Sequence, residues 1–256
     1  MTRYAITIEY RGTHFHGFQK QPGLPTVQGA LENALLTFTG EETVVQGAGR
    51  TDAGVHAVGQ AVAFEVPGGL NTGKATRGLN ALLPPGVAIT AMRAVRDDFD
   101  PRRDAIWREY RYFILNRLLP SPLLEEYTYH PPRELDLPLM EQACALVPGE
   151  RDFSAFKAKS EDESCVRKVV RCELLDVAPG VICLVVRAES FLYRMVRIIG
   201  GAIVEVGMGR MSIEELSAHL EGGSGPCADL LPARGLFLWK VVYPPGSLEF
   251  DGEDNS

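Results

Sequence analysis

The residues best placed to do chemistry lie in one stretch, Gln46-Gly47-Ala48-Gly49-Arg50-Thr51-Asp52-Ala53-Gly54-Val55-His56. Arg50 and Asp52 stand two apart among small neighbours that leave both heads accessible. Gly47, Gly49 and Gly54 permit unusual backbone angles and close approach of a ligand. A carboxylate in such a confined loop can serve as nucleophile or base. The plainer alternative is a hairpin turn carrying a surface ion pair. A dinucleotide-binding fingerprint fits poorly, because Asp52 stands where a third glycine is needed and no helix follows.

A second cluster is Arg108-Glu109-Tyr110-Arg111-Tyr112. On a strand, Arg108, Tyr110 and Tyr112 share one face. Aromatic rings stack on unpaired bases while guanidinium groups hold phosphates, so the pattern suits RNA. It equally suits a half-buried strand with a solvated arginine rim. A third cluster, Ser190-Phe191-Leu192-Tyr193-Arg194-Met195-Val196-Arg197, puts two arginines one turn apart near a helix start, opposite its apolar stripe. The helix macrodipole disfavours cations there by ~0.3–1 kcal/mol, which suggests a compensating carboxylate or phosphate. The segment Arg11 to Gln21 mixes Phe15, Phe18, His14, His16 and Lys20, as an RNA-contacting loop would. The histidines form no recognisable metal array, and no metal site is expected.

Stepping along the chain, hydrophobic periodicity supplies the elements that must position these residues. Residues 4–10 alternate as a strand. Thr26 caps a helix from Val27 to Phe38 that Gly40 closes. Strands follow at 43–48 and 58–66, then a helix capped by Asn71 or Thr72 and running to about Leu82, then a strand from Val87 to Val95. This is the split β-α-β-β-α-β order of ferredoxin-like domains. The order repeats: a strand from Ala105 to Leu115, a helix from the Asp136 cap to about Val147, strands at 167–177 and 181–188, a helix from Tyr193 to Val206, and a strand from Leu236 to Val242. Ser212 caps a short extra helix with Glu215 at the capping-box position. Residues 116–135 are expected to be an irregular connection.

The expected fold class is α+β, with two ferredoxin-like βαββαβ subdomains whose antiparallel sheets face a central cleft. The expected subdomains are 1–104 and 105–245, followed by an acidic, disordered tail at 246–256.

Composition is that of an ordinary soluble globular protein: 45% of the 256 residues are apolar and 23% charged. The N-terminal stretch lacks the continuous apolar run of a signal peptide, and no membrane span is expected. The five cysteines contain no C-x-x-C spacing, which points to reduced, buried thiols in a cytoplasmic protein. The formal net charge of −7 argues against nucleic acid when taken alone. Its distribution softens that objection. Glu249, Asp251, Glu253 and Asp254 load the tail, while Arg93, Arg96, Arg102, Arg103, Arg108, Arg111 and Arg117 cluster mid-chain.

Together these stretches resemble the tRNA pseudouridine synthase A family. Residues 49–56, Gly-Arg-Thr-Asp-Ala-Gly-Val-His, are similar to its catalytic motif. Gly12, Phe15, Gly17, Gln19 and Thr26-Val27-Gln28 are similar to its opening block, and Arg108, Tyr110 and Tyr112 to its tyrosine-bearing strand. Phe191, Met195, Val196 and Arg197 resemble its late motif, and Gly235-Leu236 its closing one. Some members carry histidines where Tyr193-Arg194 stand, so the resemblance gives Arg194 no catalytic role.

The resemblance implies an isomerase that converts uridine to pseudouridine at positions 38, 39 and 40 of the tRNA anticodon stem-loop. It implies a cytoplasmic homodimer that uses no cofactor. Asp52 would attack or deprotonate the ribose, Arg197 would pair with Asp52, and Tyr110 would stack on the uracil. Arg50 and Leu236 would help bind the nucleotide. Phe15, Lys20, Arg108 and Arg194 are further RNA-binding candidates. A non-catalytic RNA-binding protein on the same scaffold is the alternative.

Overall fold

A computed structural model describes residues 1–158, 164–222 and 225–248. The chain divides into two compact units, one comprising Met1–Ile106 with Leu238–Ser256, the other Trp107–Phe237. The break at 106/107 lies two residues beyond the expected boundary. The closing strand is shared, with Leu236 and Phe237 in the second unit and the rest in the first. The stretch 249–256, most of the tail expected to be disordered, lies outside the described residues.

The first unit contains β1 (Thr2–Tyr10), α1 (Val27–Thr39), β2 (Gln46–Gly47), β3 (His56–Val66), α2 (Thr72–Leu82) and β4 (Val87–Ala94). Strand β1 lies antiparallel between β4 and β3, with Ile6 opposite both Val62 and Met92, and β2 flanks β3. This order, 4-1-3-2, is the one the split βαβ pattern requires. Alternation along β1 separates two cores. Tyr4, Ile6 and Ile8 are buried on one face, where Tyr4 stacks with Phe64. Ala5 joins Ala61, Ala63, Ala48, Phe99 and Tyr243 on the other.

Both helices of this unit begin as local chemistry dictates. Thr26 Oγ1 accepts from Gly29 N and Asn71 Oδ1 from Lys74 N, each satisfying an orphan donor of the first turn. Gly40, at φ 79°, ends α1 in the left-handed conformation. Asn80 ties α2 to β4 by bonding both backbone groups of Ile89.

Strand β2 is shorter than the expected 43–48. The N–H of Val45 faces away from β3 in this register and donates instead to Oε1 of the buried Glu32.

The second unit contains β5 (Trp107–Leu115), α3 (Leu137–Leu146), β6 (Gly149–Asp152), β7 (Val166–Ala178), β8 (Val181–Ala188), α4 (Met195–Gly207) and α5 (Ile213–Leu220), and it ends in the start of β9 (Leu236–Val242). Strand β8 lies antiparallel between β5 and β7, and β6 edges β7. Strand β6, Gly-Glu-Arg-Asp, carries no apolar alternation and so left no sequence signal. Asp136 caps α3, and Ser212 with Glu215 forms the complete capping box of α5. Helix α4 is not amphipathic as expected. It is buried nearly all round, with only Arg197 and Glu205 partly exposed. It also starts two residues later than expected, because Arg194 adopts a left-handed conformation at its N-cap.

The mid-chain arginines do not make one free basic surface. Arg96 pairs with Asp104 and Asp98, Arg111 with Glu109, and Arg103 lies 3.9 Å from Asp100. Arg117 folds back on the carbonyls of Leu119 and Pro120. Among the described residues no helix is long and apolar enough to cross a membrane.

Candidate active-site residues

The loop joining β2 to β3 carries Arg50 and Asp52. Arg50 is exposed and Asp52 half-buried. The backbone on either side is gripped from several directions. Upstream, the fully buried Gln60 donates Nε2 to Gly49 O at 2.6 Å and accepts from Gly49 N at 3.3 Å. Next to Asp52, the Thr51 hydroxyl shares a 2.8 Å hydrogen bond with the Tyr10 hydroxyl, and Thr51 O accepts from Phe18 N at 3.1 Å. Downstream, Val55 N donates to Asp52 O at 3.1 Å, and Gly54 N to Phe15 O at 3.4 Å.

The segment 12–18 acts as a second wall for this loop. Gly12 N donates to Nδ1 of the buried His56 at 3.1 Å, which requires that nitrogen to be unprotonated. A β-carbon on Gly12 would lie 2.0 Å from Val55 O. One on Gly17, whose φ is 88°, would lie 2.7 Å from Thr51 O. Gly47 is packed as closely, against the Phe18 ring. Phe15 and Phe18 are therefore buried supports of the loop. Lys20 is exposed, with Nζ 2.8 Å from Glu32; that carboxylate raises the ammonium's pKa above its ordinary value.

In the second unit, Tyr110 is buried on the same β5 face as Arg108, Tyr112 and Ile114. Its ring meets Phe191 edge-on, centroids 5.0 Å apart. Arg108 is buried and donates to Glu189 O at 2.6 Å. Tyr112 donates to Pro232 O at 2.8 Å, and burial pushes its phenol far above its ordinary pKa, so it is a fixed donor. Gly235 packs on the Tyr112 ring, where a β-carbon would come within 2.8 Å, and this sets the entry of buried Leu236. Arg197, in the first turn of α4, donates Nε to Leu231 O at 2.7 Å.

On the opposite face of β5 sits Glu109, its side chain 3% exposed. Arg111 Nε lies 3.0 Å from Oε1, and Arg187 Nη2 2.6 Å from Oε2. Burial alone would raise the carboxyl pKa, but the two guanidiniums overcome it and hold it below its ordinary value. Arg187 also lies over the Trp107 ring, 3.8 Å from its centroid.

Sequence reasoning singled out Asp52, Arg50, Tyr110 and Arg197 but missed Tyr10, His56, Gln60 and Thr51 as supports. His56 and Thr51 lay within the motif. Tyr10 and Gln60 read only as ordinary strand residues, and nothing local marked their partners.

A family model described as tRNA pseudouridine synthase matches residues 6–102 and 143–244. A tRNA pseudouridine synthase A of Caldicellulosiruptor saccharolyticus is 40% identical over 95% of this chain and all of its own length. One of Neisseria meningitidis serogroup B is 42% identical over 94% of this chain and 92% of its own. Among solved structures, a Cbf5-Nop10-Gar1 complex is similar over 79% of this chain and 45% of that one, at 18% identity and a TM-score of 0.34. The match across both units, together with the rigidly held Asp52 loop, leads to one conclusion: the chain belongs to the tRNA pseudouridine synthase family, isomerases that convert uridine to pseudouridine in tRNA.

Proposed function

We propose that Asp52 is the reacting carboxylate in the isomerisation of uridine at positions 38, 39 and 40 of the tRNA anticodon stem-loop. The observation that supports this most is the clamping of the backbone around Asp52 by Gln60, Tyr10, Phe15 and Phe18. Such clamping holds one carboxylate in a defined direction, as a positioned nucleophile or base requires. In the reaction the N1–C1′ bond breaks, the uracil turns, and C5 bonds to C1′. The C5 proton is lost to solvent and N1 gains one. The change is redox neutral and moves no external group, so the chemistry calls for no cofactor.

Tyr110 supplies the ring that stacks on the uracil, Arg197 the guanidinium that supports the carboxylate, and Arg50 with Leu236 the contacts to the flipped nucleotide. Extruding the uridine costs a few kcal/mol, which stacking and phosphate contacts offset. Of the further RNA-binding candidates, exposed Lys20 contributes to RNA binding, whereas buried Phe15 and Arg108 support the site from beneath. The enzyme works as a homodimer in the cytoplasm, in keeping with the family resemblance.

The test uses unmodified tRNA tritiated at uridine C5. Asp52→Asn is expected to abolish tritium release while tRNA affinity stays within about tenfold, roughly 1.4 kcal/mol. Substantial release by that variant would overturn the assignment of Asp52.

A further inference from the structure

Arg194 is the one non-glycine residue, among those described, with a positive φ, at φ 62° and ψ 11°. In that region an L side chain crowds the following carbonyl, and glycine is the usual occupant. The backbone has a structural task there, since Arg194 O accepts from Arg197 N at 3.1 Å and Ile198 N at 3.2 Å to start α4. Glycine would perform that task without strain. A strained side chain retained at such a point suggests a function of its own.

The side chain runs back over its neighbour, with the Arg194 guanidinium carbon 4.8 Å from the centroid of the Tyr193 ring. Tyr193 is 44% exposed, whereas Leu192, Met195 and Val196 around it are buried. Its carbonyl accepts from Ala158 N at 3.1 Å, which helps fix the backbone beneath the ring. An exposed ring with a cation over one face offers unpaired RNA bases a surface of the kind they favour. The cation adds to stacking and draws phosphate. Two residues earlier, Phe191 meets Tyr110 edge-on, so the pair follows directly on the segment that contacts the proposed uracil-stacking ring.

We propose that Tyr193 and Arg194 form a stacking platform for a base flanking the target uridine. This rests on the reading of tRNA as substrate.

The experiment uses the full chain and an anticodon stem-loop made abasic, in turn, at each nucleotide flanking the target. Arg194→Gly is expected to unfold at or above the wild-type temperature yet bind tRNA at least fivefold more weakly. Tyr193→Ala should lose at least fivefold in affinity with unchanged stability, and Tyr193→Phe should stay near wild type. One of the abasic stem-loops should bind wild type at least fivefold more weakly but lose less than twofold with Tyr193→Ala. Wild-type affinity in both Arg194→Gly and Tyr193→Ala would overturn the proposal, as would equal abasic losses in wild type and Tyr193→Ala. Absence of tritium release from the wild-type enzyme would refute the isomerase reading separately, because the platform is judged on affinity.

Discussion

The buried side-chain amide of Gln60 holds both backbone groups of Gly49, three residues ahead of Asp52. Gln60→Leu keeps the size but strands that amide and carbonyl, costing about 1–3 kcal/mol. Urea denaturation should show the loss. Tritium release should fall further than tRNA affinity, because the carboxylate loses direction while phosphate contacts persist. Unchanged turnover in this variant would mean that the clamp does not position Asp52.

Gly12→Ala and Gly17→Ala should both damage turnover severely, since each β-carbon would collide with a loop carbonyl. Overpacking of this kind typically costs about 1–3 kcal/mol. Gly23→Ala is the control. Its φ of 73° strains an alanine, by about 1–2 kcal/mol, but nothing lies within 4 Å of the added carbon. It should lose some stability and keep its turnover. Equal turnover in all three variants would show that the 12–17 wall is irrelevant to the reaction.

Glu109 predicts an acid-dependent stability term. Its pKa is held below the unfolded value of 4.5, so the folded state gains stability from the ionised carboxylate above that value. The gain shrinks as pH falls through the lowered folded pKa. Glu109→Gln should therefore be less stable than wild type at pH 7, by roughly 2–3 kcal/mol given the partly exposed arginines. In urea melts the gap should narrow toward pH 3. A gap independent of pH would place the effect in packing rather than charge.

Tyr110→Phe should bind tRNA nearly as wild type, whereas Tyr110→Ala should lose a stacking contribution of about 1–3 kcal/mol. Filter binding distinguishes the two. The alanine variant also removes the edge-on contact to Phe191, so its melting temperature must be measured alongside. Equal binding losses would exclude the ring as a stacking surface. A turnover defect confined to the phenylalanine variant's chemistry would assign proton transfer to the hydroxyl.

Features encoded within a few residues are legible along the chain. Thr26, Asp136 and Ser212 each cap a helix through a hydrogen bond three positions away, so their spacing alone marked the starts; of the alternatives Asn71 and Thr72, Asn71 caps α2 in the same way. Alternation along 4–10 and 58–66 located β1 and β3, because side chains of period two separate two cores. The motif at 49–56 carried the family. The remaining features depend on partners distant in the chain. Tyr10 meets Thr51 across 41 residues and Gly12 meets His56 across 44, so no local pattern could announce either support. Glu32 accepts the Val45 amide from 13 residues away, another partnership that no local pattern marks. Glu109 finds Arg187 across a strand pairing 78 residues apart, a partner that no local pattern marks. Arg194 looked like a helical residue by periodicity. Its left-handed backbone appears only where the end of β8 must turn into α4.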